Sequence, residues 1–312
     1  MILLCGIPSE TPLALVRAQL DELGAPYALF NQRKFASAEA TVEVSAGRAT
    51  GRLRLNGDSY ALEEITAVFT RMMDDRFLPE LEGEPEGSPL RRRCRALHDT
   101  LARWTEISEA RVVNRAAAMG SNFSKPYQAQ LIRQHGFEVP ETLITNDPEL
   151  VREFLARHGK VIYKSISGVR SIVQTLTDED LRRINLIRLC PVQFQAFVEG
   201  TNLRIHTVGR RVFATAISSD ATDYRYAHRQ TGDAAELREV GLSDRLAQAC
   251  LDLSAGLDLP LAGIDLKVTP DGRVFCFEVN PSPAFSYYEG HTGQPISRAV
   301  ARHLAGGVRA KG

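Results

Sequence analysis

The sequence predicts an α/β protein built in three parts. The expected parts are an N-terminal parallel-sheet domain over 1–110, a small central α+β domain over 111–190 and a C-terminal antiparallel-sheet domain over 191–312. The chain opens with the order strand, helix, strand, which favours a parallel sheet. A segment rich in Glu, Gly and Pro at 80–89 is typical of a loop between compact units. Short apolar strands joined by tight turns follow in the last third, as expected of an antiparallel sheet.

The first part is predicted from helix caps and turn residues. Thr11 is the expected cap of a helix that has Pro12 at its first position and ends at Gly24. Asn56-Gly57 joins two short strands into a hairpin. These signals predict strands at 1–6, 26–30 and 65–70, a hairpin of 52–55 with 59–62, and a helix at 90–105 that carries Trp104 in the core.

The central and C-terminal parts carry the same kinds of signal. Asp147 caps a helix with Pro148 at its first position, and Gly159 ends it. A polar segment at 218–233 is long for a loop inside a compact domain, and such loops are usually functional. The other predicted elements are strands at 112–114, 161–164, 172–176, 192–198, 203–208 and 211–217, an extended segment at 138–144, and helices at 124–135, 242–255 and 296–304.

Composition argues against several classes of function. The 38 basic and 38 acidic side chains balance to a formal net charge of zero, which provides no basic field for nucleic acid. The five cysteines are scattered without a Cys-x-x-Cys pair, as expected of reduced thiols in the cytoplasm. No apolar run has membrane-spanning length, and the first residues lack the features of a signal peptide. We therefore expect a cytoplasmic protein that binds neither nucleic acid nor membrane.

An apolar hairpin at 262–281 carries three polar residues that are costly to bury without partners. A two-residue turn at Asp271-Gly272 places Asp265 directly opposite Glu278. Asn280 lies on the same face, two residues further along the strand. Two facing carboxylates repel each other unless a cation lies between them. Because all the ligands are oxygens, the hairpin predicts a site for a hard ion such as Mg²⁺, completed by substrate phosphates.

The hairpin has two alternative interpretations. The two-residue turn also places Thr269 opposite Val274, whereas a three-residue loop that includes Pro270 would shift the parity and separate the acids. The second alternative is a surface hairpin with unrelated acids. A zinc site is not expected, because His206, His228 and His291 have no metal-ligand spacing among them.

Two lysines stand where the sequence leads us to expect an anion. Lys164 ends a predicted strand and is followed by a small polar loop with Ser167 and Gly168, whose backbone N–H groups suit phosphate oxygens. Lys125 precedes Pro126 at a helix start, where a cation is unfavourable against the helix dipole unless an anion lies nearby. A solvated surface position is the alternative for each lysine.

The segment 195–199 ends a strand with an acid that can accept hydrogen bonds from ribose hydroxyls. The two lysines precede this segment, and Arg204 and the acidic hairpin follow it. That order, from about Val112 to the C-terminus, resembles the ATP-grasp superfamily. The resemblance implies the ATP-grasp fold, with ATP and Mg²⁺ bound between the last two parts. It assigns phosphate to Lys125, Lys164, Ser167 and Gly168, nucleobase and ribose to Gln195, Ala196, Phe197, Val198 and Glu199, and Mg²⁺ to Asp265, Glu278 and Asn280.

A narrower resemblance covers most of the chain. Val68-Phe-Thr-Arg71, Tyr163-Lys-Ser-Ile-Ser-Gly168 and Leu203-Arg-Ile-His-Thr-Val-Gly209 look like segments of the graspetide (microviridin-type) macrocyclases. Asp223-Tyr-Arg225 stands where that family usually has Asp-Trp-Arg, and Ala196 stands where many ATP-grasp proteins carry an acid. The resemblance implies an ADP-forming ligase that activates a carboxylate as an acyl phosphate. Ester or amide crosslinks then form between side chains of a precursor peptide that has a leader and an acidic core.

Arg204, Asp223 and Arg225 are the predicted catalytic residues. The two arginines suit a substrate carboxylate or an acyl phosphate, because guanidinium groups recognise planar anions with two parallel hydrogen bonds. Asp223 is expected to orient Arg225 or to help remove a proton from the attacking group, and a surface salt bridge is the alternative for this pair. Two other functions stay open. One is a glutamate-ligase-like enzyme that adds a free amino acid to a protein or small molecule, and the other is a nucleotide-binding regulatory protein without turnover. A homodimer is compatible with these features.

Overall fold

The computed structural model describes residues 1–165, 173–218 and 235–306. The strands within these ranges are β1 (Ile2–Gly6), β2 (Tyr27–Asn31), β3 (Glu39–Ser45), β4 (Arg48–Leu55), β5 (Asp58–Ala61), β6 (Ala67–Arg71), β7 (Arg111–Val113), β8 (Thr142–Thr145), β9 (Val161–Lys164), β10 (Gln174–Thr175), β11 (Val192–Ala196), β12 (Thr201–Val208), β13 (Arg211–Ser218), β14 (Glu236–Glu239), β15 (Leu261–Val268) and β16 (Val274–Asn280). The α-helices are α1 (Thr11–Glu22), α2 (Pro89–Ile107), α3 (Ala116–Met119), α4 (Lys125–Gln134), α5 (Pro148–His158), α6 (Asp178–Arg182), α7 (Asp244–Gly256), α8 (Phe285–Thr292) and α9 (Ile296–Ala305).

The N-terminal sheet is parallel, as predicted, with the strand order β2-β1-β6-β7. Because β7 pairs with β6, this sheet extends past residue 110. The predicted cap of α1 is wrong: Thr11 is the first helical residue, and the Glu10 carboxylate accepts a hydrogen bond from the Leu13 amide at 3.1 Å. The sheet and α1 enclose an apolar core, to which α9 adds Ile296, Val300 and Leu304.

A second sheet in this part is antiparallel and has the order β3-β4-β5. The predicted Asn56-Gly57 hairpin is confirmed, with Leu55 opposite Asp58 and a positive φ at both turn residues. Strand β3 escaped prediction, although Ala40, Val42 and Val44 alternate with polar residues in the pattern of a strand. Trp104 is buried in the core on this side of the parallel sheet, as expected.

The central sheet is antiparallel with the order β10-β9-β11-β8, and α5 packs against it. The caps of α5 are those predicted. The Asp147 side chain accepts from the Glu149 amide at 2.9 Å, and Gly159 ends the helix with φ +71°.

The C-terminal sheet is antiparallel with the order β14-β13-β12-β15-β16. Helices α4 and α7 cover one face of this sheet and share a core with it. On the other side, α9 packs against α1 of the N-terminal part. The Arg111 guanidinium donates to the carbonyl oxygen of His303 at 2.8 Å and thereby caps the end of α9. None of the helices within the described ranges combines the length and the apolar character that crossing a membrane requires.

Candidate functional site

The hairpin of β15 and β16 brings the predicted acids together by an unpredicted route. Asp265 lies opposite Glu278, as expected, but Val274 lies opposite Val268 and not opposite Thr269. The loop is therefore one residue out of the predicted register, and on its own it would separate the acids. A β-bulge corrects the register, because Phe277 is an extra residue between the pairs Leu266–Cys276 and Asp265–Glu278.

Helix α4 fixes the strand that carries Glu278 and Asn280. The buried Gln128 side chain binds both backbone groups of Val279, donating to its carbonyl at 2.8 Å and accepting from its amide at 3.0 Å. Gln128 was missed in the sequence, although a Gln one helical turn after Lys125 and one turn before the buried Ile132 marks the inner face of the helix. Because these bonds hold the backbone between Glu278 and Asn280, the two side chains keep a fixed spacing.

Lys125, at the start of α4, forms an ion pair with Glu278 on the neighbouring strand β16. The Lys125 and Glu278 side chains are 18% and 25% exposed, so both charges are largely removed from water. Burial by itself raises the pKa of the Glu278 carboxyl. The neighbouring cations Lys125, Lys164 and Arg204 outweigh burial and lower this pKa below its ordinary value, so Glu278 is ionised at neutral pH.

Arg204 on β12 pairs with Asp265 on the neighbouring strand β15, with 2.7 Å between Nη1 and Oδ1. The guanidinium is nearly buried and lies 5.4 Å from the centre of the Tyr288 ring. It also lies directly over Gly263, where a Cβ atom would overlap it. His206 is fully buried beside this arginine, and burial, followed by the charge of Arg204, holds the pKa of His206 well below its usual range.

Asp265, Glu278 and Asn280 fit Mg²⁺ by the chemistry of their donor atoms. Two carboxylates and one amide oxygen come from a paired stretch of two strands, and each carboxylate already holds a cationic side chain. The described residues contain no cluster of three His, Cys, Asp or Glu side chains placed to hold a metal, so the third ligand would be the amide of Asn280. Mg²⁺ is commonly held by one or two carboxylates together with substrate phosphates and water.

A cleft between the central and C-terminal sheets joins the predicted nucleotide residues to the predicted metal ligands. Lys164 lies at the end of β9, and β11 contributes Gln195. The cleft continues past Phe197 and Val198 to the acidic hairpin. The residues that line it are Ile162, Lys164, Val173, Gln195, Phe197, Val198, Asn202, Leu203, Asp265, Leu266, Lys267, Phe277 and Glu278.

The segment 195–199 is held rigidly by its neighbours. Ala196 donates its amide proton to the carbonyl of Glu141 at 2.9 Å, and Phe197 donates to Lys160 at 3.0 Å. These two bonds occupy the backbone amides of Ala196 and Phe197 and fix the position of the segment beside the cleft. The Gln195 side chain is buried and donates to the Thr142 hydroxyl at 3.0 Å.

Lys267 is a residue of the cleft that the sequence reading missed. Its ammonium donates to the carbonyl oxygen of Val198 at 3.0 Å and lies 5.0 Å from the centre of the Phe197 ring. Burial lowers the pKa of Lys267, and the nearby charge of Lys160 lowers it further. The strand-alternation signal was present, because Lys267 lies two residues after Asp265 and shares its face of the sheet.

Four predicted site residues lie outside the described ranges: Ser167, Gly168, Asp223 and Arg225. Asn280 does not line the cleft, and Lys125 and Arg204 contact it only through Glu278 and Asp265. The predicted residues that line the cleft are Lys164, Gln195, Phe197, Val198, Asp265 and Glu278. Glu199 and Ala196 lie beside it, on the far side of Phe197.

The chain is similar to known ATP-grasp proteins over most of its length. A probable α-L-glutamate ligase of Marinomonas sp. (strain MWYL1) is 21% identical over 214 residues, which cover 65% of this chain and 70% of that relative. The structure of the ATP-grasp ligase PsnB complexed with a minimal precursor is 28% identical with a TM-score of 0.77, covering 97% of this chain and 98% of that one. A RiPP-associated ATP-grasp ligase of Chryseobacterium gregarium, in complex with ADP and a leader and core peptide, has a TM-score of 0.81 at 23% identity, with coverages of 97% and 96%.

A family model, the RimK-like ATP-grasp domain, matches residues 124–304, which are more than half of the chain. This match confirms the predicted ATP-grasp fold and, with it, an ATP- and Mg²⁺-dependent, ADP-forming ligase. The matched residues begin just before α4 and end within α9, so they contain the cleft and both partners of each ion pair described above. The chain belongs to the RimK-like ATP-grasp family.

Proposed function

We propose that this chain is a graspetide macrocyclase, which forms ester or amide crosslinks between side chains of a ribosomal precursor peptide. The observation that carries the proposal is the similarity to PsnB over 97% of the chain at 28% identity. The solved structure of that ligase is a complex with a minimal precursor, and that of the C. gregarium ligase is a complex with ADP and a leader and core peptide. The expected partner is therefore a precursor peptide with a leader and an acidic core.

The proposed reaction has two steps. An oxygen of a substrate carboxylate attacks the γ-phosphorus of ATP, and ADP leaves with the electrons of the broken P–O bond. A hydroxyl or amine of the same peptide then attacks the carbonyl carbon of the acyl phosphate. Phosphate leaves with the electrons of the C–O bond, and the nucleophile gives up its proton. Catalysis of such steps rests mainly on positioning and on electrostatic stabilisation.

The described residues have distinct parts in this proposal. Lys125 and Lys164 neutralise phosphate oxygens, and Asp265, Glu278 and Asn280 would hold Mg²⁺. When bound, Mg²⁺ supplies positive charge next to the phosphates. In the structure Lys125 is paired with Glu278, and Arg204 is paired with Asp265, so each of the two carboxylates has a cationic partner.

The predicted catalytic residues complete the proposal. Arg204 is bonded to Asp265, one of the proposed metal ligands. A guanidinium in this place suits the stabilisation of the substrate carboxylate or of the acyl phosphate. Arg225 is assigned the same kind of contact on the substrate side. Asp223 is assigned the orientation of Arg225 or the acceptance of the nucleophile's proton.

A ligase that adds a free amino acid is the second candidate, because the curated relatives are probable α-L-glutamate ligases. The third expectation, a regulatory protein without turnover, is not favoured. The chain keeps both lysines together with Asp265, Glu278 and Asn280, and a chain that has lost catalysis usually shows gaps at such positions.

Mass spectrometry of a candidate precursor after incubation with ATP and Mg²⁺ separates the two enzymatic candidates. If the nucleophile belongs to the same peptide, each turnover removes one water from the peptide mass. If the nucleophile is a free amino acid, the product gains that residue's mass. Loss of one or more waters supports macrocyclisation, whereas a gain that matches an amino acid rejects it in favour of the glutamate-ligase-like reaction.

A further inference from the structure

We propose that Arg71, in the N-terminal sheet, is a positioning residue that holds Asn280 in place at the metal-binding edge. The proposal rests on the proposed function, because it takes Asn280 as a ligand of Mg²⁺. It extends that function by giving the N-terminal part of the chain a role in metal and nucleotide binding.

Arg71 is the last residue of β6 and points out of the parallel sheet toward the C-terminal part. Its side chain is only 10% exposed. On one side the Arg71 guanidinium pairs with the Glu10 carboxylate through both Nε and Nη2. The same carboxylate caps α1 through the Leu13 amide. One end of the link is therefore anchored to a helix and a sheet at once.

The other end of Arg71 reaches the loop that follows β16. Nη1 donates to the Ser282 hydroxyl at 2.7 Å and to the carbonyl oxygen of Pro283 at 3.2 Å. Ser282 in turn donates its backbone amide to Oδ1 of Asn280 at 2.9 Å. Hydrogen bonds on the side chain and on the backbone of Ser282 thus connect Glu10 and Arg71 to the side chain of a predicted metal ligand.

The chemistry of the link requires an arginine. A guanidinium offers five donors in a fixed plane, so one group can bind a carboxylate on one edge and two oxygens on the other. A lysine ammonium is a point charge and cannot hold both partners in one orientation. Groups that orient metal ligands in this way commonly change metal affinity by about 10-fold to 100-fold when they are removed.

A purely structural bond between the two parts is the competing explanation, and Arg111 supplies the matched control. Arg111 lies on β7 of the same sheet and also crosses to the C-terminal part, where it caps α9 through the carbonyl of His303. Arg111 is bonded to the end of the last helix and not to the loop after β16. Loss of Arg111 should therefore affect stability without changing metal binding.

The test is calorimetry of ADP binding with and without Mg²⁺ on the full chain. We expect Arg71→Gln to reduce the enhancement of ADP affinity by Mg²⁺ by about 10-fold, while ADP affinity without Mg²⁺ stays within about twofold. Ser282→Ala, which removes the hydroxyl that Arg71 binds, should reduce the enhancement in the same direction. Arg111→Gln should leave the enhancement unchanged.

Each outcome bears on the proposal, and Asn280→Ala separates it from the proposed function. If Asn280→Ala leaves the enhancement by Mg²⁺ unchanged, the metal assignment itself fails and the inference fails with it. If Asn280→Ala lowers the enhancement but Arg71→Gln behaves like Arg111→Gln, only the role of Arg71 is rejected. If Arg71→Gln does not fold, Ser282→Ala decides, and an unchanged enhancement in that variant rejects the inference.

Discussion

Lys125, at the start of α4, is paired with Glu278 on β16, so a residue predicted to hold phosphate and a residue predicted to hold metal are direct partners. Neither side chain is more than 25% exposed. Removing one partner of such a pair leaves an uncompensated charge in a poorly solvated place.

Glu278→Gln should lower the rate of ADP formation by about 100-fold or more, because loss of even a supporting partner of a metal ligand costs 10-fold to 100-fold. The change keeps the side-chain volume and removes one negative charge. Steady-state ADP release at ordinary Mg²⁺ is the measurement. Glu138→Gln is the matched control, since the Glu138 carboxylate forms an exposed ion pair with Arg273, a residue of the hairpin that carries Glu278. Turnover in Glu278→Gln equal to that of the control would contradict the metal assignment.

Lys164→Met should weaken ATP binding far more than it lowers thermal stability. Methionine keeps the apolar stem that lines the cleft but lacks the charge that we assign to the phosphates. Calorimetric ATP affinity, compared with the midpoint of thermal unfolding, is the measurement. Lys34→Met changes an exposed lysine of the N-terminal part and should alter neither quantity. If Lys164→Met changed neither ATP binding nor turnover, the alternative interpretation of Lys164 as a solvated surface lysine would be favoured.

Gly263→Ala should destabilise the protein by about 1–3 kcal/mol and displace Arg204, because the added methyl group overlaps the guanidinium that lies over this glycine. We expect the rate of ADP formation to fall as well, because Arg204 is displaced. Denaturant unfolding measures the free energy of unfolding. Gly241→Ala is the control, since no atom lies within 4 Å of a Cβ at that glycine and its φ is not in the left-handed region. Equal stability of both variants would show that Arg204 can move aside freely.

Lowering the pH through the range just below 6.5 should destabilise the fold partly through His206. Its pKa is depressed in the folded state, so the unfolded chain takes up a proton that the folded chain does not. The stabilising contribution of neutral His206 is therefore present above 6.5 and is lost as the pH falls. One pH unit below that value the loss from this residue alone is about 1.4 kcal/mol.

The measurement for His206 is the free energy of unfolding against pH, for the wild type and for His206→Gln. Because burial also lowers the pKa of His98 and of His303, the wild-type slope contains their contributions as well. The difference between the two curves gives the contribution of His206. Between neutral pH and one unit below 6.5, this difference in unfolding free energy should change by about 1.4 kcal/mol. Parallel curves would mean that His206 takes up a proton in the folded state.

Local rules predicted the elements well where caps and turns were explicit. Asp147 and Gly159 bound α5 as expected, and Asn56-Gly57 closes its hairpin. The pairing of Asp265 with Glu278 was also predicted, but from a turn register that the structure does not have. The bulge at Phe277 restores the pairing. No pattern in the sequence distinguishes the bulged Phe277 from the residues before it, because all four residues at 274–277 are apolar.

The partners of the site residues were beyond local rules. That Arg204 would bind Asp265 depends on β12 lying next to β15, which are far apart in the sequence. That Arg71 would reach Ser282 depends on how two separate sheets face each other. Periodicity identifies which side chains point inward but not which distant side chain each will meet.

The packing of α9 against α1 has a consequence for how the chain acquires its structure during synthesis. Leu13 and Val16 of the first helix share one apolar core with Val300 and Leu304 of the last. Nearly the whole chain must therefore leave the ribosome before this core is complete, although the parallel sheet can cover part of α1 earlier. Until then the apolar surface that α9 covers stays open to chaperones and to aggregation, and a fragment that stops before Ile296 would leave that surface exposed.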